Sequence, residues 1–449
     1  MKKKMKRFPC LILISLLSIL FAASCKGKEA SKAESLTICT EESLKFVVED
    51  VTKYFNDKRE TPVEFQITYI PENETERAST CKQLRTELMT GKGADIYILS
   101  DHKRNGGLSV DEDTLLLPDA NRTLYSGVFT DLSDYTADDE SFRKCFAPIM
   151  EAGAAQGKQY IIPFTFDAEL IKADKSDDLL SLSREDCSQP LSQLIKEGKI
   201  KSLYPQGFLF DVSGWIGSSF DYQKGNLYFS EDDISYVLGY AVENAVSDAA
   251  DEIPRYNFNS GENESLHSDD FSSDDLQAAK YEYLPMVTLD GRPAARILSY
   301  GAVSRTCKAP QTAYEVLQLF WQDDFISTDG LRIPHEDFTA YYHNATILNL
   351  GGIPVREDLW EQWYLIKNGT SEPTQTAVEN AQSFSDALKQ TVTARFLCTV
   401  DSLGTEISNM FMKDGRIDLD REAIEEDIRL AADMLYNNIR YTVTEQGGS

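Results

Sequence analysis

The chain has 449 residues and a formal net charge of −28 at pH 7, from 45 lysine and arginine residues against 73 aspartate and glutamate residues. Nucleic-acid-binding proteins need a basic surface that releases counterions from phosphates, so this composition argues against that class. The length is sufficient for two ordinary domains.

The first 24 residues have the pattern of a secretory signal peptide. Four lysines and Arg7 precede an apolar run, Leu11–Phe21, which is shorter than the about 20 residues of a membrane-spanning helix. Small residues directly before Cys25 resemble the lipobox at which bacterial lipoproteins are cleaved and acylated. We therefore predict a signal peptide over 1–24, a lipidated Cys25, and a polar tether over 25–34. The alternative is a plain secretory signal in which Cys25 is incidental.

Six cysteines follow the targeting segment, and their spacing gives no metal site. They form no Cys-x-x-Cys pair and no Cys/His pattern typical of zinc. We therefore predict neither a metal ion nor a cofactor, and the sequence leaves the pairing of these cysteines open. The six are Cys39, Cys81, Cys145, Cys187, Cys307 and Cys398.

Residues 35–100 predict a parallel α/β unit. Ser35–Thr40 reads as a strand, and apolar residues at helical spacing between Leu44 and Phe55 predict a helix. Val63–Tyr69 alternates apolar and polar residues like a strand with one exposed face, and a second helix ends at the glycines that precede the buried strand Asp95–Leu99. The order β-α-β-α-β predicts a parallel sheet with helices packed against it.

Polar residues stand at the ends of two of these strands. The first strand ends at Thr40 and Glu41, and the third ends at Ser100 and Asp101. Ligands of open α/β sheets bind beyond the carboxyl ends of the strands, so we expect these four residues at one edge of the sheet, in contact with a ligand. The alternative, that they are solvated caps of the strand ends, stays open.

The remaining chain is a mixture of strands, helices and an acidic loop. Gly157–Leu170 is an aromatic-rich strand broken by Pro163, and the acidic, polar stretch 257–275 predicts an exposed loop. Amphipathic spacing predicts helices over Ser188–Gly198, Ser230–Val246, Gln311–Trp321 and Asp420–Ile439.

Several segments together resemble one protein family. Leu84–Leu99 has a helix–glycine–strand pattern, and further matching segments follow in the same order: Gly127–Tyr135, Gly157–Phe166, Ser299–Trp321, Leu350–Trp360 and the C-terminal helix. This order, together with the lipobox, resembles family 1 extracellular solute-binding proteins. These lipoprotein receptors of ATP-binding-cassette importers include the maltose- and oligosaccharide-binding proteins.

The resemblance implies an α/β, two-lobed, periplasmic-binding-protein-like (type II) fold. Each lobe would be a mostly parallel sheet flanked by helices, with the ligand cleft between the lobes. The chain would cross between lobes near Ile162–Asp167, Leu298–Ala302 and Leu350–Val355. The first lobe would comprise 35–162 plus 303–350, and the second 167–298 plus 356–449. Segments 108–124 and 257–275 look like insertions relative to the family.

The resemblance also implies which residues contact a ligand, in addition to those at the strand ends. Sugar recognition needs flat aromatic faces for the C–H-rich rings and carboxylates for the hydroxyls. Core packing is the alternative for Phe208 and Phe210, and it is favoured for Trp360 and Trp363, which share one helical face. The implied contacts are Phe164, Thr165 and Phe166 at the first crossing, Phe208, Phe210, Asp211 and Trp215 in the second lobe, Tyr300 and Gly301 at the second crossing, and Trp360 after the third.

The function implied is capture of a sugar or oligosaccharide and its delivery to the permease subunits of an importer. The protein would be a monomer without enzymatic activity, attached to the outer face of the membrane through the lipid on Cys25. One alternative is a glycoside-active hydrolase, although no pair among the 73 acidic residues is marked as acid and nucleophile. A second is a binder of cations such as polyamines, through Glu41, Asp101 and Asp211. A third is an adhesion or scaffold lipoprotein.

Overall fold

The computed structural model describes residues 34–100, 113–174, 182–200, 212–222, 224–246, 279–322, 350–368, 373–413, 416–417 and 421–444. Within these ranges, no helix is long and apolar enough to cross a membrane. The signal peptide, nearly all of the tether and the 257–275 loop lie outside the described residues. So do five of the predicted functional residues: Cys25, Asp101, Phe208, Phe210 and Asp211.

Within the part of the chain that the structure describes, the strands form one large sheet and four short two-stranded pairs. They are β1 Ser35–Glu41, β2 Glu64–Ile70, β3 Ile96–Ser100, β4 Ala154–Ala155, β5 Lys158–Gln159, β6 Ile161–Ala168, β7 Leu170–Asp174, β8 Phe220–Asp221, β9 Asn226–Leu227, β10 Tyr281–Pro285, β11 Ala294–Val303, β12 Ile353–Pro354, β13 Thr393–Phe396, β14 Met412–Lys413 and β15 Arg416–Ile417.

Thirteen α-helices lie within the described residues. They are α1 Lys45–Asp57, α2 Glu74–Met89, α3 Ala120–Thr123, α4 Ser133–Ala137, α5 Ala147–Glu151, α6 Leu191–Lys196, α7 Val212–Ile216, α8 Glu231–Val246, α9 Pro310–Gln318, α10 Trp360–Lys367, α11 Gln375–Leu388, α12 Leu403–Phe411 and α13 Arg421–Thr444.

The large sheet has the strand order β12-β6-β11-β3-β1-β2, with β13 beside β11. The predicted β-α-β-α-β unit is confirmed, since β1 lies parallel to β2 and to β3. The sheet as a whole is mixed, because β11 enters from the opposite end and runs antiparallel to β3 and β6. The strand predicted to break at Pro163 continues through it, and the register with β11 shifts nearby.

Buried apolar side chains form two separate clusters. The first surrounds the large sheet and includes Ile38, Ile98 and Trp321. The second lies among α6, α7, α8, α12 and α13 and includes Trp215 and Leu435. Because burial of apolar surface is the dominant favourable term in folding, two such clusters indicate two lobes, in agreement with the predicted fold class.

The chain passes between the two clusters at the crossing strands. It leaves the first cluster after Ala168 at the end of β6 and rejoins it along β11 from Ala295, and Tyr283 on β10 also packs into the first cluster. The packing also places α10 and α11 with the first cluster, and the chain enters the second again only after Phe396. The predicted bounds put both helices in the second lobe, whereas Trp360 of α10 packs on Phe166 of β6, and Phe384 of α11 packs on Tyr364 of α10. The lobe bounds themselves stay a prediction.

Candidate functional site

A row of hydroxyl groups crosses the large sheet where the two clusters meet. Thr165 on β6 pairs with Ser299 on β11, which in turn pairs with Ser100 on β3. The hydroxyl oxygens of Thr165 and Ser299 are 2.5 Å apart, and all three side chains are buried. Ser100 ends β3, so the row marks the edge of the sheet from which a cleft would open. The structure thus brings together two predicted residues and Ser299, which the sequence did not single out.

The two predicted residues at the end of β1 have different environments. The Glu41 carboxylate accepts hydrogen bonds from both terminal nitrogens of Arg77, at 2.6 and 3.0 Å, inside a buried ion pair. Thr40 is fully buried, and its hydroxyl has no hydrogen-bond partner among the described residues. Arg77 therefore compensates the charge of Glu41 and takes one acceptor position on each of its oxygens, and contact of Glu41 with a ligand stays a prediction.

Five of the predicted aromatic contacts lie in the two cores, with exposures of 0–2%. The ring of Phe164 stacks on Phe320 with centroids 4.1 Å apart. Trp360 lies edge-on to Phe146 at 5.1 Å, and its Nε1 donates to the carbonyl of Pro354 at 2.8 Å. Protein atoms cover these rings, so we expect them to pack rather than to stack on a ligand. The remaining three are Phe166, Trp215 and Tyr300.

Gly301 on β11 is explained by close packing of the crossing strands. A Cβ atom there would lie 2.5 Å from Cζ of Phe164 and 2.7 Å from Cδ2 of Leu317, distances that no side chain tolerates. Gly352, which precedes β12, has φ +74°, and a Cβ atom there would approach the carbonyl oxygen of Phe166 to 2.8 Å. These glycines let the crossing segments approach one another, and Gly301 offers no surface to a ligand.

Charged residues form a buried layer where the crossing strands enter the second lobe. Arg296 on β11 pairs with Asp167 and Glu169, each at 2.8 Å. Arg395, its neighbour on β13, makes two hydrogen bonds to Asp401, at 2.6 and 2.7 Å. Arg296, Arg395, Asp167 and Glu169 all line one small cavity. The opposite charges compensate one another, so removal of one member would leave its partner as an uncompensated buried charge.

A half-exposed cluster of polar aromatic side chains lies at the boundary between the lobes. Tyr125 follows α3 on the first-lobe side, and Tyr228 follows β9 on the second; each is 41% exposed. The Tyr228 hydroxyl donates to Oδ2 of Asp221 at 3.2 Å, and the Lys224 ammonium lies 3.2 Å from the same oxygen. The guanidinium of Arg292 lies over the Tyr228 ring, 4.1 Å from its centroid. We call Tyr125, Asp221 and Tyr228 the tyrosine–aspartate cluster.

The electrostatics of this cluster suit the binding of hydroxyl groups. Burial favours a raised pKa for Asp221, but hydrogen bonds from Lys224 and Tyr228 hold its pKa below the ordinary value. Asp221 is therefore an ionised acceptor at neutral pH. Burial and the charge of Asp221 raise the pKa of Tyr125, so its hydroxyl stays protonated and can donate. Tyr125 follows Leu124, which is buried in the first cluster, and Asp221 follows Phe220, which is buried in the second.

The tyrosine–aspartate cluster was not predicted from the sequence. Gly225, with φ +65°, forms the turn between β8 and β9, and a glycine turn between two aromatic-rich stretches is a hairpin signal that was available. The convergence of Tyr125 on Asp221 had no such signal, because the two residues meet only through tertiary packing.

Comparison with known proteins identifies the fold. No protein-family model matches the sequence, and no curated protein matches it. The cyclic alpha-maltosyl-1,6-maltose binding protein from Arthrobacter globiformis matches with a TM-score of 0.51 and 13% identity, over 92% of this chain and 100% of that one. An extracellular solute-binding protein family 1 from Alicyclobacillus acidocaldarius gives 0.49 and 14%, over 92% and 99%.

The extracellular solute-binding protein from Staphylococcus aureus, solved in complex with maltose, gives a TM-score of 0.48 and 14% identity, over 92% of this chain and 99% of that one. The Arthrobacter protein carries the argument, because its score exceeds 0.5 and the match spans nearly the whole of both chains. The chain therefore has the two-lobed, type II fold of the extracellular solute-binding proteins.

Proposed function

We propose that this protein captures a carbohydrate outside the cytoplasmic membrane and delivers it to the permease of an ATP-binding-cassette importer. The observation that carries the proposal is the tyrosine–aspartate cluster at the boundary between the lobes. The fold that holds this cluster is shared over nearly the whole chain with a cyclic alpha-maltosyl-1,6-maltose binding protein. Binding proteins of this fold use closure of two lobes rather than chemistry, which supports a function without turnover.

The chemistry of the cluster fits a neutral sugar. A sugar ring presents C–H groups that pack on the face of a tyrosine ring and hydroxyl groups that need acceptors and donors. Asp221 supplies an ionised acceptor, the hydroxyl of Tyr125 can donate, and the hydroxyl of Tyr228, whose proton is shared with Asp221, can accept. A hydrogen bond to an ionised carboxylate is roughly twice as strong as one between neutral groups. Asp221 is therefore placed to fix the orientation of the sugar.

The proposed cleft opens beyond the edge of the sheet that the hydroxyl row marks, and the row itself is buried. Tyr125 follows Leu124 of the first core and Asp221 follows Phe220 of the second, so the tyrosine–aspartate cluster draws on both lobes. When two lobes close around a ligand, the closed state is favoured by the difference in affinity between the two states. A ligand can contact Asp221 and Tyr125 together only in the closed state. It therefore binds the closed state more tightly than the open state.

Substitutions in the cluster should weaken carbohydrate binding. Tyr228→Ala should raise the dissociation constant about fivefold, because one aromatic contact contributes on the order of 1 kcal/mol. Asp221→Asn should raise it by a similar factor through loss of the charged acceptor. Tyr236→Ala is the matched control, since Tyr236 is also an exposed tyrosine of the second lobe with a cation, Lys196, over its ring. Titration calorimetry measures all three.

Two outcomes of this titration are informative. Selective weakening by Tyr228→Ala and Asp221→Asn, with wild-type affinity in Tyr236→Ala, supports the proposed site. If Tyr228→Ala and Asp221→Asn bind like wild type, the ligand lies elsewhere in the molecule and the cluster has no part in recognition.

We further propose that the protein is anchored to the outer face of the membrane by a lipid on Cys25 and acts as a monomer. Support comes from the apolar run that ends in small residues directly before this cysteine. Metabolic labelling with a radioactive fatty acid should label the wild type and leave Cys25→Ala unlabelled. Equal labelling of both proteins would rule out the anchor without affecting the proposed ligand site.

A further inference from the structure

A surface groove of about 470 Å³ is lined by α10, α11 and the turn before α10. This volume falls within the range of about 300–1,000 Å³ that is usual for ligand sites. Glu361 and Leu365 stand four residues apart on α10, and Ser385 and Lys389 stand four apart at the end of α11. Residues with this spacing share one face of a helix, so one face of each helix lines the groove. We call it the α10–α11 groove.

Aromatic packing holds the two helices of the groove together. The ring of Trp363 on α10 stacks on Phe384 of α11 with centroids 5.9 Å apart, and the ring of Tyr364 lies 5.0 Å from that of Phe384. All three side chains are buried in the first core. The groove therefore belongs to a single cluster, and its shape does not depend on closure of the lobes. A surface that is already formed loses less entropy when it binds a partner.

Two acidic side chains of the groove are not compensated. The carboxylates of Glu357, in the turn before α10, and of Glu361 have no hydrogen-bond or ion-pair partner among the described residues. Their neighbour Asp358 differs, because Arg356 donates to both of its oxygens, at 2.8 and 2.6 Å. The groove therefore presents negative charge that a cationic occupant would neutralise.

A buried hydroxyl in the same groove also lacks a partner. Ser385 is 2% exposed and lines the groove, and within the described ranges its hydroxyl makes no hydrogen bond. A serine inside a helix commonly donates to the carbonyl four residues back, which Ser385 does not do. The helix dipole accounts for acidic residues at the start of α10, but it does not account for this unsatisfied hydroxyl. A polar group that enters the groove would satisfy it.

The rim of the groove is open to solvent. Glu357 is exposed, and the side chains of Asp358 and Lys389 are 50% and 47% exposed. A small molecule is usually buried over about 70–90% of its surface, whereas such a rim covers only one end of an occupant. The ammonium of Lys389 lies 3.8 Å from Asp386, so its positive charge is already compensated. These features favour a side chain that projects from a larger partner over a free small cation.

We propose that the α10–α11 groove is an interaction surface that takes an arginine side chain from an exposed segment of a partner protein. The guanidinium has five donors in a planar fork, which match the acceptors of Glu357, Glu361 and Ser385. The aliphatic stem of the arginine would lie along Leu365. The inference goes beyond the proposed function, because no residue of the groove belongs to the proposed sugar site.

The test measures the binding of a fluorescently labelled, end-blocked alanine peptide with one central arginine, by anisotropy at physiological ionic strength. A peptide with citrulline in place of arginine has nearly the same shape and no charge. Glu357→Gln/Glu361→Gln removes the two uncompensated charges of the groove. The matched control, Glu425→Gln/Asp427→Asn, removes two charges of α13 that also have no partner in the part of the chain that the structure describes. Spermidine is the probe for a free small cation.

We expect the arginine peptide to bind the wild type about tenfold more tightly than the citrulline peptide, because hydrogen bonds between charged groups are the strong ones. Glu357→Gln/Glu361→Gln should lose this preference, whereas Glu425→Gln/Asp427→Asn should keep it. Ser385→Ala should weaken binding of the arginine peptide severalfold without lowering the melting temperature, since it removes a hydroxyl that has no partner among the described residues.

Equal weakening by the two double variants would show a general attraction to an acidic protein, and the inference would be wrong. It would also be wrong if the arginine peptide fails to bind, whether or not spermidine binds in its place. Carbohydrate binding is measured separately, so a failure of the proposed function leaves the outcome of this test unchanged.

Discussion

Replacing Arg395 by methionine should lower the free energy of unfolding by about 3–5 kcal/mol. The Arg395 side chain is 4% exposed and the Asp401 side chain is 0% exposed, and two hydrogen bonds of 2.6 and 2.7 Å join them. Nε of Arg395 also donates to the carbonyl of Gly217 at 2.8 Å. Without the guanidinium, Asp401 would be a buried charge without compensation. Urea denaturation at pH 7 measures the loss.

The double variant Arg395→Met/Asp401→Leu is the control. Replacing both members of a buried ion pair by apolar residues is often close to neutral, so the double variant should recover most of the stability. A double variant that is as unstable as Arg395→Met would show that the hydrogen bond to Gly217, rather than the charge of Asp401, dominates.

The stability should also depend on pH through this pair. Burial favours a raised pKa for Asp401, but Arg395 and its hydrogen bonds hold the pKa below its ordinary value. A depressed pKa contributes stability that is present at neutral pH and is lost as the pH falls through the folded-state value. In Arg395→Met the pKa of Asp401 should rise instead. Acid then protonates the uncompensated carboxylate and removes the free-energy cost of burying its charge. The difference in stability between variant and wild type should therefore shrink at low pH.

Replacing Asp139 by alanine should lower the free energy of unfolding by about 3 kcal/mol. This buried carboxylate accepts hydrogen bonds at Oδ2 from the Tyr314 hydroxyl at 2.8 Å and from Nε1 of Trp321 at 2.9 Å. Oδ1 accepts from the backbone N–H groups of Ser141 and Phe142 at 2.9 and 3.1 Å. Removing the carboxylate leaves several donors without an acceptor in the first core, which costs more than the bonds themselves.

Tyr314→Phe is the control for Asp139→Ala, because it removes one donor and leaves the acceptor in place. It should cost about 1 kcal/mol, and the double variant should be less unstable than the sum of the two single variants, since both remove the same bond. Thermal or urea unfolding of the three variants tests this. A loss below about 1 kcal/mol in Asp139→Ala would show that water or another group satisfies these donors.

The sequence predicted the fold best where local pattern and chain order agree. The β-α-β-α-β unit was predicted from helical and strand periodicity, and the structure has it as β1-α1-β2-α2-β3 with parallel pairing. The C-terminal helix, predicted over Asp420–Ile439, is observed over Arg421–Thr444. In these segments the amphipathic period alone determines the element, and tertiary contacts do not override it.

The candidate site was predicted less well, because residue type does not reveal which face of an element is covered. Phe164 and Trp360 satisfied the requirement for aromatic residues near the crossings, but neighbouring rings bury both. The ion pair of Glu41 was not predicted, because its partner Arg77 lies 36 residues away, on a helix whose packing the pattern does not specify. Strand register alone places Thr165 beside Ser299 and Ser100. The sequence analysis singled out Thr165 and Ser100 but not Ser299.

We propose that the protein binds a carbohydrate in the cleft between its lobes and does not convert it. The most direct test is calorimetric titration of the mature protein with linear and cyclic maltodextrins, accompanied by thermal unfolding and by analysis of the sugar after incubation. We predict saturable binding of at least one sugar, a stabilisation of about 2.7 kcal/mol at 100 times its dissociation constant, and sugar recovered unchanged. Absence of binding to every sugar, or steady formation of a hydrolysis product, would contradict this claim.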